Sequence, residues 1–449
     1  MPINPMAAFS ADIETLIADE LLPLAQNRLV VYHLGEPIKM PKGRGTTYTK
    51  TRFNRLPLPY APLQEAVPGS GFVMALSQVV AAAQQWGGLV ILSDRATYTI
   101  KHDTMAKAKE LIAIQAAETL ERNTFNTLFG FTQVNTVNSR GSRYALQAGD
   151  VLGLIDLQRA QVQLSTIGAY QWMGNEEVNP RVDAKTQDSD ALSRKMPSPH
   201  YIMVVHDFVS GDLRQQALFV QASSYSDVNK LYNSEVGQWA GDRVVKSNMV
   251  PYFTGSALIT GTPSASGGSL ATFATYNIIV TESDPMRQYE TVIHQVSGNI
   301  SVTGPTGSIS VVLPASANTF SVYITTAGAS PINLALTPQG PLSGPFQGQA
   351  IQLAGGQTVT LTGIGVAQVP PAPVATGLTV YPSWIFGKYA YSQIVLDDIQ
   401  VQYLDEADKS DPFNQLREVT WKIDYGSMLD NNTFAIRVES VSQFSSAFA

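Results

Sequence analysis

The apolar positions of this chain fall into a few separable patterns, and each predicts an element. Met105, Ala108, Leu111, Ile112, Ala116, Leu120 and Leu128 recur at helical spacing, with Lys107, Lys109, Glu110, Glu118, Glu121 and Arg122 mostly elsewhere. Asp103 or Thr104 is placed to cap this helix, which at ~1.5 Å per residue would run about 36 Å. Behind Asp12, the residues Ile13, Leu16, Ile17, Leu21 and Leu24 predict an amphipathic helix that Pro23 bends or ends. Residues 154–167 read as a further helix, and residues 201–205 and 242–247 as strands.

A different texture lies between the first two helices. Residues 36–71 are rich in Pro, Gly, Thr and Arg, and within them Thr46 to Phe53 has the β-branched and aromatic content of a strand. The stretch 66–93 carries no charge. Its Ser77, Gln78, Gln84, Gln85 and the pair Gly87-Gly88 argue against a membrane span and for buried strands. Together the two stretches predict a long two-stranded arm. Such an arm is not stable alone in water, so it needs a surface to lie on.

From Thr291 to Gly387 there is no Asp, Glu, Lys or Arg. Runs such as Ser308 to Leu313 and Thr358 to Thr362, separated by Gly and Pro, predict an all-β module over residues 256–379, a small sandwich or barrel inserted into the rest.

Composition narrows the function classes. Charged residues make up 14% of the 449, against roughly 25% in ordinary soluble proteins. That deficit fits a subunit covered by neighbours, and equally a β-rich protein whose polar face is Ser, Thr, Asn and Gln. The net charge of -7 disfavours a sequence-reading DNA binder. The absence of cysteine excludes disulfides, thiolate metal sites and thiol nucleophiles. The start of the chain lacks the basic and apolar regions of a signal peptide, so no targeting segment and no membrane partner are expected.

Candidate chemistry is sparse. The histidines His33, His102, His200, His206 and His294 have no metal-ligand spacing. Gly43-Arg44-Gly45 followed by Lys50-Thr51 fails as a phosphate loop, because Thr49 and not Gly precedes the lysine. No nucleophile elbow occurs. No catalytic, cofactor-binding or metal-ligating residues are therefore predicted. Asp397, Asp398, Asp405, Glu406, Asp408 and Asp411 read as a solvated acidic loop. Lys39, Lys42, Arg44, Lys50, Arg52 and Arg55 form a basic run with no acid inside it, the candidate contact of the arm with an acidic neighbouring copy. Interleaved Tyr48, Phe53 and Tyr60 also suit a single-strand nucleic-acid platform, which the chain's net acidity disfavours.

In order along the chain, several short blocks resemble the major capsid family typified by coliphage N4, a branch of the HK97 fold. They are Leu22-Pro23-Leu24-Ala25-Gln26 with Leu29-Val30-Val31-Tyr32, Pro41-Lys42-Gly43, and Arg52-Phe53-Asn54-Arg55-Leu56-Pro57-Leu58. Further on come Leu92-Ser93-Asp94, Gln115-Ala116-Ala117-Glu118-Thr119-Leu120 and Asn233-Ser234-Glu235-Val236-Gly237. The last are Tyr381-Pro382, Phe386-Gly387-Lys388-Tyr389-Ala390-Tyr391, Asp411-Pro412-Phe413-Asn414-Gln415, Trp421-Lys422 and Ile436-Arg437-Val438-Glu439. The resemblance implies an α+β capsid fold. Residues 1–35 would be an N-terminal arm, 36–92 an extended loop and its return strand, and 93–135 a peripheral domain with a spine helix. Residues 136–255 would be an axial domain and 380–449 a return to both, with the β module at 256–379 departing from the family pattern.

The implied function is structural: self-assembly into the hexamers and pentamers of an icosahedral shell enclosing double-stranded DNA without reading its sequence. The implied partners are copies of the chain, with scaffolding and portal proteins and room for a decoration protein. The implied place is the virion, after assembly in the host cytoplasm. A phage tail-tube protein, or an extracellular β-rich adhesion or carbohydrate-binding protein, is the competing reading.

Overall fold

The computed structural model describes residues 29–43, 45–53, 56, 72–93, 104–172, 200–224, 232, 234–271, 273–283, 290–296, 300–304, 306–316, 318–325, 346–361, 366–367, 374–404 and 415–445. The expected helix behind Asp12 lies outside these residues. The chain divides into two compact units.

Among its described residues, one unit holds 35–116 and 391–430. Its four-stranded sheet is built from β1 (Glu36–Lys39), β4 (Gln84–Ser93), β22 (Tyr391–Leu404) and β23 (Leu416–Leu429), in the order β1-β22-β23-β4. β1 runs parallel to β22 and the other pairs are antiparallel. A separate antiparallel pair joins β2 (Thr47–Phe53) to β3 (Leu76–Ala82), in register from Thr47 opposite Ala82 to Phe53 opposite Leu76. This is the predicted two-stranded arm. The expected burial of its return is corrected: exposed and half-buried positions alternate along β3 and β4, and Leu76, Val80, Leu89 and Ile91 are exposed. An uncharged run that alternates this way is a strand with one face open, not a core strand.

The long helix α1 (Thr104–Leu128) matches its predicted span and begins in this unit. Its Gln115 Oε1 accepts the indole N–H of Trp421 at 3.2 Å. A Cβ on Gly88 would stand 2.2 Å from Gln115 Oε1 and 2.6 Å from Trp421 Nε1, so a larger residue there would displace this hydrogen-bonded pair. Leu111, expected in the apolar stripe, is 63% exposed, while Ala108, Ile112, Ala116, Leu120 and Leu128 are buried as expected.

Among its described residues, the other unit holds 29–34, 117–390 and 431–445. Its backbone is a 13-stranded sheet. One half contains β5 (Val134–Thr136), β6 (Ile202–Val205), β7 (Phe219–Gln221), β8 (Glu235–Trp239), β9 (Asp242–Lys246), β21 (Thr379–Phe386) and β24 (Ala435–Val441). The other continues through β10 (Phe253–Ile259), β13 (Ile278–Ser283), β14 (Glu290–Val296), β17 (Thr319–Thr325), β18 (Phe346–Ala354) and β20 (Val366–Ala367). β21 pairs along its length with β24, and on its other side with β10 at one end and β6 at the other. Helix α2 (Leu154–Ile167), at its predicted bounds, buries Leu157, Ala160 and Leu164 in a core with Met203, Val205, Val244, Ile385, Ile436 and Val438. Gly168 ends it in the left-handed conformation that glycine adopts most easily.

The inserted β module makes its own core. A small sheet of β11 (Gly261–Ser264), β16 (Ser308–Val312) and β19 (Thr358–Leu361) packs Ile309, Val311 and Leu361 against Ile278, Val280, Phe320 and Val322 of β13 and β17. β12 (Thr275–Tyr276) and β15 (Ile300–Ser301) add a short ribbon. The result is a sandwich with one layer continuous with the main sheet, since β14 pairs in parallel with β10.

On the face of β21 and β24 that carries Trp384, Arg437 and Glu439, three charges are fully enclosed. Arg143 donates from Nε to Glu439 Oε2 at 2.8 Å and from Nη2 to Oε1 at 2.5 Å, and Arg437 Nε lies 3.2 Å from the same carboxylate. The Arg143 guanidinium covers the Phe253 ring at 4.1 Å and that of Arg437 faces Phe129 at 5.2 Å. Burial pushes the Glu439 carboxyl up, but the two guanidiniums outweigh it and hold the group below the usual carboxylate range. Glu439→Gln would leave two enclosed cations without a counter-charge. It should cost about 3–5 kcal/mol in urea denaturation; an unchanged midpoint would mean the triad contributes nothing to the fold.

Candidate functional site: the basic arm and its base

The arm is seated by packing at one end. Tyr48, Val79 and Ala81 pack against a small core of Met40, Ala83, Ile394 and Met428. Ala83 then marks the step from β3 into β4, which continues along β23. Beyond the base the arm exposes apolar side chains: Leu76 and Val80 on β3, with Phe72, Val73 and Met74 leading into it. Among the described residues β2 and β3 pair only with each other, so the ribbon has two open edges.

The basic residues divide into two groups. Lys50 is half-buried and clamps the base, 2.6 Å from Glu36 and 3.0 Å from Asp430. Burial pulls its ammonium down, but hydrogen bonds and charge from Glu36 and Asp430 outweigh that and hold it above the ordinary lysine value. Lys42 reaches Asp397 at 2.7 Å and Lys39 reaches Asp398 at 3.0 Å. The Lys42 hydrogen bond and charge hold the Asp397 carboxyl below its usual range. Arg52 instead lies out along the arm, exposed, with its Nε donating to Ser77 Oγ at 3.2 Å. Arg44 and Arg55 lie outside the described residues.

The acidic cluster is thereby corrected in part. Asp397 and Asp398 sit on strand β22 and pair with the basic segment of the same chain, and are not part of a solvated loop. Asp405, Glu406, Asp408 and Asp411 lie outside the described residues. Gly43 and Gly45 are exposed, both with left-handed φ, and the element described after them is strand β2, not a helix. The described histidines have local roles. His206 Nδ1 accepts the Phe208 N–H at 3.2 Å and caps the short helix α3 (Asp207–Leu213). His200 meets the Tyr232 hydroxyl at 3.2 Å, and His294 meets Glu282 at 3.3 Å. His102 lies outside the described residues. Among the described residues no cluster of His, Asp and Glu is arranged to hold a metal ion, and no helix is long and apolar enough to cross a membrane.

Sequence reasoning missed the exposed apolar stripe of the arm, because an uncharged run reads as buried. It also missed Glu121, placed on the outer side of α1 by its charge but fully buried.

No protein-family model and no curated protein matches the sequence. Solved structures do. The capsid of Ralstonia phage GP4 is 8% identical, with 92% of each chain covered and a TM-score of 0.50. The capsid of cyanophage Pam1 is 10% identical over 91% of this chain and 89% of that one, at a TM-score of 0.44. That of Helicobacter pylori bacteriophage KHP30 is 6% identical over 90% and 86%, also at 0.44. With the strand and helix order above, the GP4 match over nearly the whole of both chains establishes the architecture: this chain has the α+β, HK97-like fold of a phage capsid subunit.

Proposed function

We propose that the chain is the major capsid protein of a tailed double-stranded DNA phage, self-assembling into the hexamers and pentamers of an icosahedral shell around the packaged genome. The observation that carries this reading is a capsid fold whose two-stranded arm presents an exposed apolar stripe and, among the described residues, two edges that pair with no further strand. Burying that stripe on a second copy is favourable at roughly 25 cal/mol per Å². Repeated around rotation axes, such a head-to-tail contact closes into rings and shells. The ordered sequence blocks, which resemble the N4-type branch, support assigning the chain to it. Scaffolding and portal proteins act during assembly in the host cytoplasm, and the shell has room for a decoration protein. The acidic subunit encloses DNA without adhering to it. A tail-tube or adhesion role has no comparable observation behind it.

The purified chain, with a scaffolding partner present, should form rings, shells or aberrant polymers in negative-stain electron microscopy. A strictly monomeric species at high concentration would refute the proposal. Within the arm, Arg52 and Arg55 serve contacts between copies, and Lys50 serves the fold of its own chain. Arg52→Glu with Arg55→Glu should leave the melting curve unchanged and impair assembly. Lys50→Met should instead cost about 1–3 kcal/mol of stability, because it leaves Asp430 poorly paired at the base. Calorimetry and light scattering separate the two; the reverse pattern would exchange the roles.

The module at 256–379 has its own core, and an inserted domain facing outward leaves the interior free for DNA. Replacing residues 258–378 with a short Gly/Ser linker should leave a soluble subunit that still forms particles, less stable for the loss of β14 beside β10. Failure of the remaining chain to fold would make the module part of the main core.

A further inference from the structure

A strand at the edge of a sheet carries a row of backbone donors and acceptors that invites another strand. Proteins blunt such edges with charge, proline or shortness. Among its described residues, the unit that holds the arm has four edge strands, and they are of two kinds. β1 is four residues long and holds Glu36, Pro37 and Lys39. β2 holds Lys50 and Arg52. β3 and β4 have no such protection: neither Leu76–Ala82 nor Gln84–Ser93 contains a charged residue or a proline. β3 pairs with β2 over seven positions and β4 with β23 over ten, both without a bulge. Leu76, Val80, Leu89 and Ile91 stand exposed along them.

The two undefended edges cannot meet within one chain. Ala83 alone separates β3 from β4, and the tightest hairpin needs two connecting residues. A strand that covers either edge must come from elsewhere.

We infer that β3 of one copy pairs along β4 of a second, so that a sheet continues from chain to chain. The inference rests on the self-assembly proposed above and names the strands that carry it. At ~3.3 Å per residue β3 is about 23 Å long and β4 about 33 Å, so the first fits within the second. Pairing β4 with β4, or β3 with β3, is a two-fold contact that ends at two copies. Pairing β3 with β4 leaves each copy one open edge of each kind, and the contact propagates. The hydrophobic pattern selects the register that sets Leu76 and Val80 on the same face as Leu89 and Ile91, where cross-strand apolar pairs form. The pairing also accounts for the uncharged stretch 66–93. Charge on these strands would defend edges that assembly needs open, and Lys50 and Arg52 defend only the far side of the arm.

The chain has no cysteine, so an introduced thiol reports its neighbour directly. An unlabelled population carrying Leu76→Cys, Gln78→Cys or Val80→Cys is assembled together with a nitrogen-15-labelled population carrying Leu89→Cys, Ile91→Cys or Ser93→Cys. The particles are oxidised and their disulfides read by mass spectrometry. At least one combination should join a light chain to a heavy one. Thr49→Cys in place of the β3 cysteine should not, because two strand spacings, about 9.6 Å, exceed the reach of a disulfide. Particles with no light–heavy link, with links from Thr49→Cys only, or with light–light and heavy–heavy links only, would overturn the pairing and leave self-assembly standing. Failure of the unmodified chain to assemble would overturn both. A second variant tests the edge without cross-linking: Leu89→Lys with Ile91→Lys, at exposed positions, should leave the melting curve unchanged and abolish particles. An undiminished particle yield would refute the pairing.

Discussion

The larger unit depends on one strand. β21 is buried along nearly its whole length, and it holds β24 on one side while β10 and β6 share the other. Every backbone donor and acceptor of such a strand must find its partner within the sheet, since no water reaches it. That requirement fixes the register of β24 residue by residue and brings the chain back from the β module into line with β6. It also explains the composition of the strand. A segment enclosed on both faces tolerates no unpaired charge, and β21 stands at the end of the 97-residue stretch, Thr291 to Gly387, that has none. The charges that do enter this layer, Arg143, Arg437 and Glu439, arrive as a group.

The same logic bears on the low charge of the whole chain. Many of its few ionic groups are engaged inside the subunit: Lys50 with Glu36 and Asp430, Lys42 with Asp397, Arg243 with Glu235 and Arg140 with Asp150. Charge used this way sets registers and seats loops but does little to keep a surface solvated. Apart from Arg52, the described surface that remains outside on the arm is largely apolar or weakly polar, as with Val73, Met74, Leu76 and Val80. Such surface is a liability for a free monomer and suits a face destined for cover.

Much of the fold was legible in the sequence where the signal is local. Helix spacing and caps delimited α1 and α2, alternation marked β16 and β19, and the arm followed from two strand-like runs around a Pro- and Gly-rich stretch. Long-range partners were not legible. Asp397 and Asp398 meet Lys42 and Lys39 across more than 350 residues, and nothing in their local spacing says so. Leu111 and Glu121 mark the limit of periodicity itself. The pattern puts the leucine inside and the acid outside, whereas the structure does the reverse, because what an acid side chain can tolerate depends on which backbone amides another segment brings to it.

Two extended segments of this chain are therefore held by opposite kinds of electrostatics. The arm's base is fixed by formal ion pairs that are partly open to solvent, so added salt weakens that anchorage. The segment 29–34 is fixed by the amides of Val30, Val31 and Tyr32, which donate to the enclosed carboxylate of Glu121. Salt has little access to such a contact. Added salt therefore loosens the arm's base more than it loosens the segment 29–34. Ionic strength thus acts unequally on two parts of one chain, and the segment 29–34 serves as the control for the arm's base.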